Sequence, residues 1–405
     1  MKPLDGIRVL DLGTRIAAPF CGGQLGEMGA EVIKIEQPRG GDFMREIGPF
    51  TTAPNGDDYS LFWAVEGRGR KSVTLDLRRA AGQDLFRRLA ATADVVVENF
   101  RPGTLEKWHI APGELDPSLI VVRISMFGQD GPKHERGGLD RVGIGYGGLL
   151  HLTGYPDRPP VRVGVTISDY LTGVFAANAA LAALYRRDTA SAGRPSGDRQ
   201  GAVVDAALYG SALRVLEWTL AGYDKLGIVR NREGNRLANS APLDNYPTAD
   251  EKYVCIVAGS DANFGRLCAA MNREELVTDT RFAKLVDRAA HNDLINGIVA
   301  EWTRTLDAVT VEARCVEHDV PVATAYTAAD IFADQHFAFR GDLVAVDDPV
   351  IGPVRQQAPY PRFVGAPPNV PSGAPRLGEH TREVLRNTLA LTDTELDALA
   401  ADGVI

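Results

Sequence analysis

An aspartate at the head of a long uncharged segment is the residue best placed to act as a nucleophile. Ser168 and Asp169 precede sixteen uncharged residues, and Arg186 and Arg187 follow them. A carboxylate in the first turn of a helix has two interpretations. As a helix cap, it accepts a hydrogen bond from an unpaired backbone N–H. As a nucleophile kept ionised by the positive end of the helix, it attacks an acyl group and carries it covalently.

The segment after this aspartate predicts a helix over 170–185 whose negative end carries the two arginines. Large apolar residues recur at three- and four-residue spacing and predict one buried face; they are Leu171, Val174, Phe175, Leu181, Leu184 and Tyr185. The remaining positions are almost all Ala, Gly and Asn, which predicts other backbones packed close against the helix.

Alternating strands and helices surround this segment. Runs of Val and Ile bounded by turns predict strands buried on both faces, and hence an α/β fold with a mostly parallel sheet. We predict strands at 6–13, 30–36, 71–77, 94–100, 118–125 and 202–206, and helices at 17–28, 78–93 and 208–226. A glycine-rich loop is predicted at 128–148, and a hairpin at 342–357.

Periodicity is lost after the helix predicted to end at 226, which indicates a crossing into a second domain. We therefore divide the chain into the first part of a large domain, 1–226, a small α/β domain, 227–330, and a return segment, 331–405, that rejoins the large domain. The length of 405 residues agrees with two to three domains.

Composition excludes several classes of protein. A net charge of −9 argues against nucleic acid and anionic membranes as partners, and no run reaches the ~18 apolar residues of a membrane span. No signal peptide is expected at the N-terminus. The four cysteines are scattered without a CxxC pair, so we expect a cytoplasmic protein with free thiols and no metal site.

Two features imitate a dinucleotide site without meeting its requirements. Glu36 ends a predicted strand, as a ribose-binding acid would, but the first turn offers only Gly13 where close approach of a pyrophosphate needs three glycines. Gly143, Gly145 and Gly148 form a GxGxxG pattern that no strand precedes. We therefore reject NAD binding at both places.

Basic residues concentrate at the strand–helix junctions of the first domain. In an acidic protein they predict a site for a phosphorylated, nucleotide-like ligand at one edge of the sheet; they are Arg68, Arg70, Lys71, Arg78, Arg79, Arg101, Lys107, Arg136 and Arg141. Of the seven histidines, His151 stands eighteen residues before Asp169 and could approach the carboxylate. A packed or surface histidine is the simpler interpretation.

Seven segments in one order resemble a known family: PLDGIRVLDLG (3–13), GAEVIKIEQPRGGDFMR (29–45), GRKSVTLDLR (69–78), ADVVVENFRPGTLEKW (93–108), SMFGQDGP (125–132), TGYPDRPP with SDYLTG (153–173) and PRLGEHTREVL (375–385). The chain is similar to the class III CoA-transferases of CaiB/BaiF type, which include formyl-CoA, carnitine and citramalate CoA-transferases and α-methylacyl-CoA racemase. The resemblance covers essentially the whole length.

The resemblance implies a fold and a reaction. It implies a Rossmann-like large domain completed by C-terminal residues, an inserted smaller domain, and a homodimer of interlocked chains. Asp169 falls on the family nucleophile, which carries CoA as an aspartyl-CoA thioester between two carboxylic acids. Coenzyme A and acyl-CoA are then substrates, and no tightly bound cofactor is expected.

The resemblance also assigns CoA contacts, which are Ile16, Ala17, Arg39, Leu75, Arg78, Asn99, Phe100, Arg101, Lys107 and Asp140. Two positions depart from the family pattern. Ile16 stands where formyl-CoA transferase has a glutamine. Gln37 stands where the family has an arginine, and the nearby Arg39 could take over the role of that arginine.

The branch of the family is indicated by a few positions. Leu139 occupies the place of the histidine base of the racemases, and the polyglycine flap of formyl-CoA transferase is missing between 234 and 250. TGYPDRPPVRVG is most similar to the succinyl-CoA-dependent citramalate branch, so a small dicarboxylate is the expected substrate. Arg15 is a candidate counter-charge for its second carboxylate. The alternatives are an acyl-CoA racemase or epimerase and a non-catalytic acyl-CoA-binding protein.

Overall fold

The computed structural model describes residues 2–190, 199–365 and 369–405. These residues form two compact units. The larger comprises Met1–Leu149, Val163–Trp218 and Ala338–Ile405, and the smaller comprises Leu150–Arg162 and Thr219–Phe337. Residues 150–162, which the sequence analysis kept with the first segment, therefore cluster with the smaller unit.

A six-stranded parallel sheet forms the centre of the larger unit. Its strands are β1 (Arg8–Asp11), β2 (Glu31–Glu36), β5 (Lys71–Thr74), β6 (Val95–Glu98), β7 (Ile120–Ser125) and β8 (Ala202–Ala207). They lie in the order β5-β2-β1-β6-β7-β8. Counted along the chain this is the doubly wound order 3-2-1-4-5-6, which reverses between β1 and β6. The parallel α/β sheet predicted from the sequence is confirmed.

Two short antiparallel pairs complete the strands of this unit. They are β3 (Phe50–Thr52) with β4 (Asp58–Ser60), and β12 (Leu343–Asp348) with β13 (Gly352–Gln357). The second pair confirms the hairpin predicted at 342–357. The smaller unit has an antiparallel sheet of β9 (Leu243–Pro247), β10 (Tyr253–Val257) and β11 (Val322–Thr324). Strand β9 was missed by the sequence analysis, which found no periodicity there.

In chain order, the helices of the described residues are α1 (Ala17–Glu27), α2 (Leu61–Glu66), α3 (Ala80–Ala90), α4 (Thr104–Lys107), α5 (Asp140–Tyr146), α6 (Leu149–Leu152), α7 (Ile167–Ala190), α8 (Leu208–Arg214), α9 (Thr219–Leu226), α10 (Asp261–Met271), α11 (Leu285–Ala290), α12 (Asn292–Thr303), α13 (Ala308–Glu317), α14 (Ala328–Ala333), α15 (Gln335–Arg340), α16 (Thr381–Leu389) and α17 (Asp393–Ala401).

Apolar packing covers both faces of the parallel sheet. Successive strand residues point to opposite faces, so Val9 joins the cluster under α1 and α7 while Leu10 joins the cluster under α3. Leu385 and Leu396 of the C-terminal helices α16 and α17 belong to the second cluster. Burial on both faces explains why these strands are continuous apolar runs.

Two predicted elements were wrong. The expected loop at 128–148 contains helix α5, and Gly143 of the GxGxxG pattern lies inside it; a Cβ there would stand 2.7 Å from the Ser168 Oγ. That glycine therefore serves close helix packing. The single helix expected at 208–226 is two helices, α8 and α9, separated at Glu217, whose φ of 53° is left-handed.

The buried face of α7 also differs from the predicted one. The helix buries mostly small residues, among them Thr172, Gly173, Ala176 and Ala180, whereas Tyr185 is 74% exposed. A Cβ on Gly173 would lie 2.9 Å from a carbonyl oxygen of α1. Close backbone packing was thus predicted correctly, but the small side chains, and not most of the large ones, form the contact.

Helix α7 is long and apolar enough to span a membrane by length and composition alone. Core helices pass the same test, and α7 packs on α1, α5 and α8 and on strands β7 and β8 of the larger unit. Its side chains Ala176, Ala177 and Leu184 belong to the apolar cluster beneath the sheet. We therefore interpret α7 as a core helix.

Candidate active site

A cavity of about 650 Å³ opens in the larger unit where the strand order reverses. In open α/β sheets, ligands bind at the carboxyl ends of the strands at this reversal. The wall is formed by residues that follow β1 and β6, by the end of β7 and the residue after it, by the loop before α5, and by Asp169 and Leu208. The lining residues are Thr14, Arg15, Ile16, Ala17, Asn99, Phe100, Arg101, Pro102, Ile124, Ser125, Met126, Arg136, Gly137, Gly138, Leu139, Asp169 and Leu208.

The loops after β1 and β6 are fastened to each other beside the cavity. The Thr14 N–H donates to the Asn99 side-chain oxygen at 2.9 Å, and the Asn99 amide donates to the Thr14 carbonyl at 2.8 Å. Because one amide side chain satisfies both backbone groups, the two segments that carry most of the wall keep a fixed separation. Asn99, predicted as a CoA contact, therefore has its amide engaged with the protein.

Asp169 lies in the first turn of α7 but does not cap that helix. It is the third residue of α7, and among the described residues no group donates a hydrogen bond to its carboxylate. Asp140 takes the capping role, because its carboxylate accepts the Ser168 N–H at 2.8 Å and the Ser168 hydroxyl at 2.9 Å. The capping interpretation of Asp169 is thus wrong, and its carboxylate is left to face the cavity.

The environment of Asp169 makes its ionisation sensitive to pH near neutrality. Burial raises the pKa of its carboxyl to about 7, the nearby Asp140 carboxylate adds to the rise, and the Arg15 guanidinium opposes it. The sequence suggested a carboxylate kept fully ionised by the helix dipole. The loss of hydration has the larger effect on this pKa, because a half-buried carboxylate loses more stabilisation from water than the positive end of one helix provides.

Arginines provide all the positive charge on the described part of the wall, and Asp169 is the single acidic residue there. The three are Arg15, Arg101 and Arg136. A wall with three guanidinium groups and one carboxylate favours an anionic ligand. Arg136 was noticed in the sequence only as one of several loop cations, because nothing local distinguishes it from a surface arginine.

A second cavity of about 220 Å³ shares Thr14 and Phe100 with the first. Leu75 and Arg78 line it, together with Glu36 and Trp108. Arg78 is largely exposed and pairs with Asp76 at 2.8 Å. The structure therefore gathers Leu75, Arg78 and Phe100 around one opening.

Four of the residues selected from the sequence line neither cavity. Arg39 and Lys107 are exposed, and Asp140 is buried against Ser168. His151 lies in the smaller unit, where its ring nitrogen is 3.2 Å from the Asn231 side-chain oxygen. Their roles in ligand binding stay predictions.

Sequence reasoning missed two residues that hold the Arg15 segment: Asp42, which lines the second cavity, and Lys34, which pairs with it. Asp42 accepts the Arg15 N–H at 3.0 Å, and the fully buried Lys34 ammonium lies 2.9 Å from the same carboxylate. One feature could have identified Lys34: a lysine in the middle of the apolar strand EVIKIE. A buried lysine requires an anionic partner, but the sequence does not say which.

The sheet order and the cavity define a doubly wound α/β protein with an arginine-lined cavity at its switch point. A family model described as CoA-transferase family III matches residues 4–381. The chain is 41% identical over 407 residues to succinyl-CoA–D-citramalate CoA-transferase of Chloroflexus aurantiacus, covering 100% of this chain and 98% of the relative. It is 37% identical to the alpha subunit of succinyl-CoA–L-malate CoA-transferase of the same organism, covering 100% and 92%.

Solved structures agree with these matches. A CAIB/BAIF family protein from Brucella suis superposes with a TM-score of 0.83 at 33% identity, over 96% of this chain and 99% of that one. The chain belongs to CoA-transferase family III and is an enzyme of the CoA-transferase class. CoA thioesters are substrates of such enzymes. Within the described residues, no group of three or more His, Cys, Asp or Glu is arranged to hold a metal ion.

Proposed function

We propose that this enzyme transfers CoA from succinyl-CoA or another small dicarboxylic acyl-CoA to a carboxylic acid through a thioester on Asp169. One observation carries the proposal: the Asp169 carboxylate is free of hydrogen bonds from described residues and faces a cavity otherwise lined by arginines and neutral groups. Both relatives described above are named for succinyl-CoA and a small hydroxylated dicarboxylate.

The exchange takes place in two symmetrical halves. The Asp169 carboxylate attacks the donor thioester carbonyl, which forms a mixed anhydride and releases the CoA thiolate. The thiolate then attacks the aspartyl carbonyl of the anhydride, giving aspartyl-CoA and the free donor acid. The acceptor carboxylate attacks aspartyl-CoA and again expels the thiolate, which finally attacks the acceptor carbonyl and regenerates Asp169. No net proton, water or electron is required.

The residues of the cavity wall, and Asp140 next to it, have separable tasks in this sequence of steps. Asp169 must be ionised to attack, so the opposition of Arg15 to the raised pKa favours the reactive form. Asp140 fixes the start of α7 through Ser168 and thereby the direction of the Asp169 side chain. The predicted CoA contacts Ile16, Ala17 and Arg101 line the same cavity and are proposed to hold the pantetheine end.

Trapping of the intermediate tests the proposal. Enzyme mixed with succinyl-CoA is treated with hydroxylamine, which converts an aspartyl thioester to a hydroxamate, and peptides are analysed by mass spectrometry. We expect modification of Asp169 that depends on succinyl-CoA. Asp169→Asn should lose at least about 1,000-fold in exchange rate while still binding CoA, because it lacks the covalent nucleophile. An Asp169→Asn enzyme that keeps a tenth of the activity would refute the mechanism.

Nothing at the described part of the site favours the racemase alternative. Leu139 lines the cavity and is 53% exposed, so the position expected for a histidine base presents an alkyl group. None of the described lining residues is a histidine. Entry of solvent deuterium at the α-carbon of a bound acyl-CoA, without any acceptor acid, would contradict this conclusion.

We further propose that the enzyme is a cytoplasmic homodimer of interlocked chains. Support comes from apolar side chains on α7 that lie exposed in the single chain, Val174 at 47%, Phe175 at 42% and Tyr185 at 74%. The malate relative is named as an alpha subunit, so a hetero-oligomer is the competing arrangement. Light scattering of the purified chain should give twice the 43.6 kDa mass of the chain.

A further inference from the structure

Arg15 is a half-buried cation on the cavity wall. No carboxylate in the described ranges forms an ion pair with its guanidinium, although the group lines the cavity with Asp169. Charges that lose hydration are normally paired within the protein or with a ligand. Arg15 therefore has capacity for one more anion at the site of acyl transfer.

The backbone of Arg15 is held in an unfavourable conformation. Its φ of 67° is left-handed, a conformation that is unfavourable for a residue with a side chain. The Arg15 N–H donates to the Asp42 carboxylate at 3.0 Å, and the guanidinium lies over the Phe43 ring at 4.1 Å from its centroid. A strained backbone persists only where its surroundings fix it, and such strain is concentrated at functional sites.

Asp42 is itself anchored by a buried lysine. Its carboxylate also accepts the Met44 N–H at 3.0 Å and lies 2.9 Å from the Lys34 ammonium, which is fully buried on β2 and bonded to the Gly13 carbonyl. Burial alone would raise the pKa of Asp42, but the Lys34 charge and these N–H donors lower it below its ordinary value. Asp42 is thus an anion at neutral pH with a fixed position.

We propose that Arg15 binds the non-reacting carboxylate of a dicarboxylic acyl group, and that Asp42, anchored by Lys34, is the positioning residue that aims it. This inference rests on the proposed CoA transfer and adds the group that selects dicarboxylic over monocarboxylic acids. A planar guanidinium pairs with a carboxylate through two parallel hydrogen bonds, so its direction decides whether the pair forms. Monocarboxylic acids of equal length lack the group that Arg15 recognises.

The experiment compares two acids of four carbons, succinate and butyrate. Exchange of each labelled acid with its own CoA thioester is measured for the wild type and for Arg15→Leu, Arg15→Lys and Asp42→Asn, with the exposed Arg304→Leu as the matched control. The readout is the ratio of kcat/KM for succinate to that for butyrate. Any effect of Arg15 on the ionisation of Asp169 affects both acids equally and cancels in the ratio.

We expect wild type to prefer succinate, and Arg15→Leu to lower the ratio about 100-fold, since an unpaired carboxylate in a partly dry site is strongly disfavoured. Arg15→Lys should keep part of the preference for succinate, because lysine supplies the positive charge but cannot form the two parallel hydrogen bonds of a guanidinium. Asp42→Asn should lower it about tenfold through the KM for succinate. Arg304→Leu should leave it unchanged.

The outcomes that overturn the inference differ from those that overturn the proposed function. An unchanged ratio in Arg15→Leu, or a wild type that prefers butyrate, refutes the role of Arg15 while CoA transfer stands. An unchanged ratio in a folded Asp42→Asn refutes the positioning role. Absence of exchange by wild type with both acids, with no labelled Asp169, overturns the function and the inference together. Circular dichroism and urea unfolding identify variants that fail to fold.

Discussion

Two groups of charged residues lie close together in the larger unit and are organised in opposite ways. On and beside β1 and β2, three acidic and three basic side chains form a mostly buried cluster: Asp11, Lys34, Glu36, Asp42, Arg45 and Arg70. On the cavity wall, three arginines face the single carboxylate of Asp169. The cluster balances its own charge, and the cavity wall does not.

This contrast separates structural charge from functional charge. In the cluster, Lys34 lies 2.9 Å from Asp42 and 3.4 Å from Asp11, and Arg45 lies 2.8 Å from Glu36. Glu36, which resembled a ribose-binding acid in the sequence, is buried by these contacts. Opposite charges at these distances offset part of the hydration that each group loses on burial. The excess of positive charge on the cavity wall favours an anionic ligand, and in the proposed function a CoA thioester of a dicarboxylic acid supplies the negative charge.

Breaking the cluster should have the largest effect on stability. Lys34→Met leaves the Asp11 and Asp42 carboxylates without their shared ammonium, and we expect the free energy of unfolding to fall by about 3–5 kcal/mol. Urea denaturation at pH 7 measures it. The control is Lys71→Met, which removes a half-exposed lysine paired with Glu31 and Glu383 and should cost less than about 1 kcal/mol. An equal loss of unfolding free energy in Lys34→Met and Lys71→Met would contradict the distinction between the buried cluster and surface ion pairs.

Changing Asp169 should act on stability in the opposite direction. Its folded pKa of about 7 lies above the unfolded value, so ionisation destabilises the fold as pH rises from about 4 to 7. Asp169→Asn should therefore stabilise the protein above pH 7 by about 2 kcal/mol, after allowance for partial exposure, and have little effect near pH 4.

The comparison for this variant is Asp58→Asn, an exposed carboxylate that should leave stability nearly unchanged at both pH values. The stabilities of the wild type, Asp169→Asn and Asp58→Asn are compared through their urea unfolding midpoints at pH 4 and pH 8. A destabilised Asp169→Asn at pH 8 would mean that the carboxylate makes a stabilising contact, and the functional interpretation of its exposure to the cavity would fail.

The dependence of the exchange rate on pH tests the same group without any substitution. In the proposed mechanism only the ionised carboxylate attacks the thioester, so kcat/KM should rise about tenfold per pH unit below 7 and level off above it. Initial rates between pH 5.5 and 8.5, in a buffer series of constant ionic strength, measure this profile. A rate that is flat from pH 5.5 upward would show that Asp169 stays ionised throughout.

Much of the fold was predictable because its determinants are local in the sequence. Apolar runs identified all six strands of the parallel sheet, and Asp169 was selected by its place before an uncharged helix. Helix α5 was missed because the glycines within it and on both sides of it suggest a loop, whereas close packing on Ser168 requires Gly143. The buried face of α7 was misassigned because large apolar residues were assumed to be inside.

Residue type and short spacing were enough to specify the α/β class, the family resemblance and the aspartate. The pairing of charges, in contrast, depends on the folded chain. Asp140 reaches Ser168 across 28 positions and Asp42 reaches Arg15 across 27. Those contacts free the Asp169 carboxylate from capping and fix Arg15 at the cavity. Electrostatic and hydrogen-bond energies depend on distance and burial in space, and neither is a function of position along the chain.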